Sequence, residues 1–291
     1  MDKTYKAVAP PMDDQVPLAV LVNSGSASAS EIVSGSLQDL DRAVIIGQRT
    51  YGKGLVQTTR PLSYNSQLKV TTAKYYIPSG RCIQALDYSN RNDDGSVGKI
   101  PDSLMHEFKT KGGRTVLDGG GILPDIKTDT RKYSNITSSL ITKNIVFDFA
   151  TRYRTLHDSV PVAAAFELSE KDWTDFLAFL KNKEYEYSTK SEKSLDEMKK
   201  NAVEENYFNT IEKEYLALKE KLVDDKQSDL EKNKVEILQV LEEEIITRYY
   251  FQTGRTASGL DHDQEVLTAR DVLLQNDRYR SILSGVSVLQ K

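Results

Sequence analysis

Residues 16–57 carry the strongest constraint on the fold, because apolar patterns of strand length and helix length alternate there and end on a lysine between two glycines. Residues 17–22 form an apolar run of buried-strand length, and the run stops at Asn23-Ser24-Gly25-Ser26, a turn composition. Helical spacing follows, with Ile32, Val33, Leu37 and Leu40 apolar and Glu31, Gln38 and Asp39 polar. Residues 42–47 and 55–60 are two further β-rich runs, which puts Lys53, flanked by Gly52 and Gly54, at a strand entrance. A strand–turn–helix–strand order predicts an α/β layer. In such layers, a side chain at the strand-to-helix turn projects beyond the carboxyl end of the strand, where open sheets place their ligands.

Two chemistries compete for that turn. Ser28-Ala-Ser-Glu31 fits a capping box, in which a serine caps the helix and a glutamate three residues on reaches back. The same place suits a nucleophile, since the free N–H groups and positive dipole end of a helix favour a developing oxyanion. The pattern alone leaves Ser24, Ser26, Ser28 and Ser30 all open as that nucleophile. Lys53 adds a partner, because a neutral lysine can take a proton from a hydroxyl, which calls for burial. Strand residues two and four apart share a face, so Gln57 is expected on the same side as Lys53, its amide oriented toward the amine. Gly-Lys-Gly also fits a hairpin corner with an exposed lysine. As a phosphate loop it fails, since Gly54 stands where Ser or Thr is required; Gly119-Gly120-Gly121 likewise lacks the dinucleotide-binding spacing and reads as a turn.

Ser26-Ala-Ser-Ala-Ser-Glu-Ile, Gln38-Asp39, Arg42-Ala-Val and Thr50-Tyr-Gly-Lys-Gly-Leu-Val-Gln57 together resemble the core of the C-terminal processing (tail-specific) peptidases, serine endopeptidases of the Ser–Lys type. In that family the nucleophile lies 25 positions before the lysine, which selects Ser28 from Lys53. The resemblance further implies Gln57 as the polar assistant, the backbone N–H of Ala29 as one oxyanion donor, and Asp39 as a supporting residue about three helical turns away. The strand ending Thr71-Thr-Ala-Lys-Tyr-Tyr-Ile-Pro-Ser-Gly80 and the segment Gly119-Gly-Gly-Ile-Leu-Pro-Asp125 are similar to further core segments of the family.

The resemblance implies an α/β protease-core fragment with crotonase-like strand–turn–helix units in residues 1–137, then an all-α C-terminal domain in residues 138–291. It implies polypeptide substrates bound as extended strands, cleavage of exported proteins at or near their C-termini, a bacterial periplasmic or cell-envelope location, and no cofactor or metal. Family members carry a peptide-binding PDZ domain and the first part of the protease core, with a second oxyanion donor, upstream of the nucleophile strand. Met1 is therefore expected to be a start inside the enzyme, and residues 1–291 alone to be inactive and able to self-associate. Two readings of other classes compete. One is a non-catalytic helical scaffold for partners; the other is a crotonase-like acyl enzyme, which would need a CoA-binding surface and catalytic carboxylates.

Composition narrows the rest. With 39 basic and 43 acidic residues the net charge is −4, and no basic, aromatic-interleaved patch for nucleic acid stands out. No apolar run reaches the roughly 18 residues that span a membrane. The single Cys82 cannot form an internal disulfide, and His106, His157 and His262 have no metal-ligand spacing. Residues 84–98 and 129–139 are polar and loop-like. Beyond them Ser169 and Asp172 mark a helix start, apolar stripes run through 191–250 as in packed amphipathic helices, and 263–274 and 277–283 read as two short last helices.

Overall fold

The computed structural model describes residues 4–185 and 187–285, and the chain falls into two compact units. The first joins residues 1–130 to 263–291, and the second spans 131–262.

The first unit is built on a parallel three-stranded sheet. Strand β1 (Ala19–Val22) leads through the serine turn into helix α1 (Ala29–Asp39), which returns to β2 (Val44–Gly47). A late strand, β9 (Ile126–Lys127), completes the order β1-β2-β9. Strand β2 is central and reads Val-Ile-Ile-Gly without alternation because both of its faces are covered. On one face Ile45 packs with Val22, Ile77, Ile83 and Ile122. On the other, Val44 and Ile46 pack against Ala269, Val272 and Tyr279. Gly47 ends the strand at φ +130°, where a Cβ would sit 1.9 Å from the Val22 carbonyl oxygen, so no side chain is tolerated where β1 and β2 converge.

The covering residues of that second face come from the two last helices, α9 (Gln264–Leu274) and α10 (Asn276–Ser284), which return to the sheet. The Tyr279 hydroxyl accepts the Leu18 N–H at 3.0 Å, and Glu265 accepts from Gln48 and from the Thr128 hydroxyl. The division between compact units falls at 130/131 and 262/263, whereas the resemblance implies one boundary at 137/138. Helical periodicity reports that a segment is amphipathic and carries no address for its apolar face.

Three antiparallel hairpins extend the first unit. Strands β3 (Leu55–Pro61) and β4 (Gln67–Lys74) pair around a turn in which Tyr64 and Asn65 both take positive φ, the geometry that favours Asn in two-residue hairpins. Strands β5 (Leu86–Arg91) and β6 (Val97–Lys99) pair within the stretch whose polar composition predicts a loop. The hairpin forms because its polar side chains face water on a two-stranded ribbon, and Asp94-Gly95 supplies the turn. Strands β7 (Glu107–Lys109) and β8 (Thr115–Leu117) form the third.

The second unit is all helical. Helices α2 (Asn135–Thr142), α3 (Ile145–Leu156), α4 (Glu170–Leu180), α5 (Lys190–Glu204), α6 (Phe208–Gln227), α7 (Asp229–Lys232) and α8 (Lys234–Gly259) follow in chain order. Ser169 caps α4 and Asp172 reaches back to its N–H, a complete capping box. Helix α2 starts at Asn135, inside the 129–139 stretch read as a loop, because the Ser134 hydroxyl caps it. The core comes from α2, α3, α4 and α8 through Leu140, Phe149, Trp173, Phe176, Leu241 and Ile245. No helix among the described residues is long and apolar enough to cross a membrane.

Candidate active site

The serine turn carries backbone strain. Ser28 sits at φ 54°, ψ −115°, a region that non-glycine residues rarely occupy and that costs of order 1–3 kcal/mol. A serine at a sharp, strained strand-to-helix turn is the geometry by which a nucleophile elbow exposes its hydroxyl.

The capping box of the sequence is in place, with the Glu31 N–H at the Ser28 hydroxyl and the Glu31 carboxylate at the Ser28 N–H, although the first contact is too weak to count as a hydrogen bond. Glu31 Oε2 accepts the Ser28 N–H at 2.9 Å, while the Glu31 N–H goes to the Ser28 carbonyl at 2.9 Å and the Ser28 hydroxyl takes no capping hydrogen bond. The hydroxyl is thereby left free for chemistry. Ala29 opens the helix with its N–H directed to no acceptor among the described residues.

Glu31 does more than reach back. It is fully buried, and its two oxygens also accept the Lys53 N–H at 2.8 Å, the Gly52 N–H at 2.7 Å and the Thr50 hydroxyl at 2.5 Å. One carboxylate therefore fastens the nucleophile turn to the lysine loop, with four donors to offset the burial of its charge. The loop has no room for a side chain at Gly52, which lies at φ +84° with a Cβ position 2.3 Å from the Ala85 Cβ. The Gly54 N–H donates to Gln84 Oε1 at 2.7 Å and the Ala85 N–H to the Gly52 carbonyl at 2.9 Å, so the loop is held on both flanks.

Ser28 is half-buried and Lys53 is exposed, and their backbones come together while no hydrogen bond joins their side chains. Lys53 thus lacks the burial expected for a neutral lysine. A bulge between Val56 and Gln57 interrupts the hairpin register, and Gln57 Nε2 donates across it to the Thr71 hydroxyl at 3.4 Å. The extra residue, Thr72, lies on the opposing strand, so the bulge bends β4 rather than the segment from Lys53 to Gln57.

Asp39 stands apart from this chemistry. It is buried in a salt bridge with the equally buried Arg81 at 2.8 Å, and its other oxygen accepts the Ser79 N–H at 2.9 Å. Arg81 also donates to Gln38 Oε1 and the Leu117 carbonyl. Burial pulls the Arg81 guanidinium below its ordinary value, against the opposing charge of Asp39. The pair locks the end of α1 to the turn that follows β4.

Sequence reasoning did not single out Thr50, Tyr75, Gln84 or Arg81, although Thr50 and Tyr75 stand inside quoted motifs. A cavity of about 250 Å³ opens beside the lysine loop, lined among others by Leu55, Lys74, Cys82, Gln84, Ile100 and His106. Among the described residues no group of three or more His, Cys, Asp or Glu is placed to hold a metal ion.

Two family models match the chain. Residues 2–89 match peptidase family S41, and residues 136–273 match the C-terminal helical domain of probable PDZ-proteases. A carboxy-terminal-processing protease of Bartonella bacilliformis is 57% identical over 75 residues, which are 26% of this chain and 17% of that protein. A chloroplastic C-terminal processing peptidase of Tetradesmus obliquus is 47% identical over 85 residues, 29% of this chain and 18% of that protein. The matched stretch thus spans less than a fifth of either relative. A solved photosystem II D1 C-terminal processing protease shares 35% identity over 40% of this chain and 22% of its own, with a TM-score of 0.28. With an S41 segment around the strained serine and lysine loop and the helical segment of the PDZ-proteases after it, this chain is similar in both parts to the carboxy-terminal-processing proteases of the S41 family.

Proposed function

We propose that this chain carries the catalytic pair of a Ser–Lys endopeptidase that cleaves exported polypeptides at or near their C-termini in a bacterial periplasm or cell envelope, on crotonase-like strand–turn–helix units. Ser28 attacks the scissile carbonyl, neutral Lys53 takes the proton and later returns it to the leaving amine, and the Ala29 N–H donates to the oxyanion. A substrate lying as an extended strand across the base of the β3–β4 hairpin would cover Lys53 and supply the burial that keeps it neutral. Gln57, released from Thr71, then positions the amine.

The observation that carries the reading is the backbone of Ser28. Its φ of 54° is held although it costs stability, and its N–H shares a carboxylate with the N–H of Lys53. A serine serving only as a cap needs neither the strain nor the link. The helical-scaffold reading accounts for neither.

A single oxyanion donor is a partial site, since losing one donor costs about 10²–10³ in rate. With the matched stretch spanning less than a fifth of its relatives, we propose that residues 1–291 alone are inactive. Exposed Leu21, Ile32, Val33 and Leu40 support self-association of the isolated chain. The test is hydrolysis of casein by the natural protein in full. Ser28→Ala and Lys53→Arg should each lower turnover by several orders of magnitude, because a guanidinium does not give up its proton. Near-normal turnover of either variant, with Ser26→Ala or Ser30→Ala inactive instead, would refute the assignment.

A further inference from the structure

Tyr75 follows β4 directly and has no role in the mechanism above. Its N–H donates to the Gly54 carbonyl at 3.1 Å, which ties the end of the hairpin to the lysine loop. Its hydroxyl donates to the Lys53 carbonyl and also lies within hydrogen-bonding reach of the Ser28 carbonyl, at 3.5 Å. Glu31 gathers the amides of residues 28 and 53 on one side, and Tyr75 meets their carbonyls from another.

We propose that Tyr75 is a positioning residue, whose hydroxyl clamps the Ser28 and Lys53 carbonyls and so sets the distance between nucleophile and base. The inference rests on the peptidase reading for its consequence and on this geometry for the clamp itself. The Glu31 carboxylate and the flanking bonds to Gln84 and Ala85 hold amides of the two segments, and none of them joins the Ser28 carbonyl to the Lys53 carbonyl. An attachment to the next peptide unit of each segment, through the Ser28 and Lys53 carbonyls, fixes their orientation as near-attack geometry requires. The phenol is suited to the task. Burial pushes its pKa up to about 12, with the Glu31 charge and Cys82 adding to the rise, so the hydroxyl keeps its proton where a lysine loses one. The clamp also links the active turn to the hairpin, because the residue that holds both carbonyls is the one next after Lys74.

Tyr75→Phe keeps the ring and deletes the clamp. In the 291-residue chain, hydrogen exchange of the amides of Ser28 to Glu31 and Gly52 to Gly54 should quicken about tenfold while the β2 amides keep their rates. Unchanged exchange at the two turns, or equal quickening throughout the unit, would overturn the clamp. In the natural protein in full, kcat on casein should fall about 10- to 100-fold with KM within about twofold. Wild-type kcat in Tyr75→Phe would overturn the positioning role. If the wild-type protein shows no Ser28-dependent hydrolysis, the peptidase reading fails, and the exchange measurement still decides the clamp.

Discussion

Strain at Ser28 makes a quantitative claim about stability that is independent of activity. Ser28→Gly and Ser28→Ala both delete the hydroxyl, which makes no capping hydrogen bond, so their difference isolates the Cβ at φ 54°. Holding a Cβ there costs of order 1–3 kcal/mol. Glycine gives back roughly 0.5–1 kcal/mol through the greater freedom of its unfolded chain. The glycine variant should therefore be the more stable by about 1 kcal/mol, near fivefold in an opening equilibrium. The assay must report the right unit. The single tryptophan, Trp173, is buried in the helical unit, so its fluorescence follows the wrong one. Native-state hydrogen exchange at Val44, Ile45 and Ile46, which are fully buried in β2, follows the unit that contains Ser28. Their exchange should be slower in Ser28→Gly than in Ser28→Ala. Equal or faster exchange in the glycine variant would show that the turn stores no strain, and the structural argument for a nucleophile elbow would go with it.

Two further outcomes follow from the polar contacts of the same unit. Asp39→Ala leaves the Arg81 guanidinium buried without its partner and should destabilise the unit by about 3–5 kcal/mol, whereas Asp39→Leu with Arg81→Met should recover most of the loss, both read from β2 exchange. A loss under about 1 kcal/mol in Asp39→Ala would refute the structural role assigned to that pair. Burial pushes the Glu265 carboxyl up, but hydrogen bonds from Thr128, its own backbone and Gln48 outweigh it and hold the group below its ordinary value of 4.5. A depressed carboxyl contributes stability above its unfolded value and loses it as pH falls through the folded one. Docking of α9 on the sheet should weaken at pH below about 4.5, seen as faster corrected exchange of α9 amides, and Glu265→Gln should flatten that dependence. An unchanged pH dependence in the variant would assign the effect to another group.

What the sequence determined was local. The apolar run before Asn23, the helical spacing from Glu31 to Leu40 and the glycines around Lys53 each act within one or two turns of chain, where sterics and periodicity are set by near neighbours. The β3–β4 hairpin was legible for the same reason, through Tyr64-Asn65-Ser66, and so was the cap of α4 at Ser169. The motif set also carried the resemblance to the S41 peptidases, which in turn selected Ser28 by its spacing from Lys53. Tertiary structure decided everything that depends on a partner distant in the chain. Glu31 looks like a cap in sequence, and only the fold brings Thr50, Gly52 and Lys53 to its carboxylate. Asp39 looks like a helix surface residue until Arg81 meets it in the core. The last two helices are amphipathic by pattern, but their return to β2 rests on Val272 and Tyr279 finding Val44 and Ile46 more than two hundred residues away. Hydrophobic burial is non-directional, so a sequence specifies that such a face must be covered, and only the assembled chain settles by what.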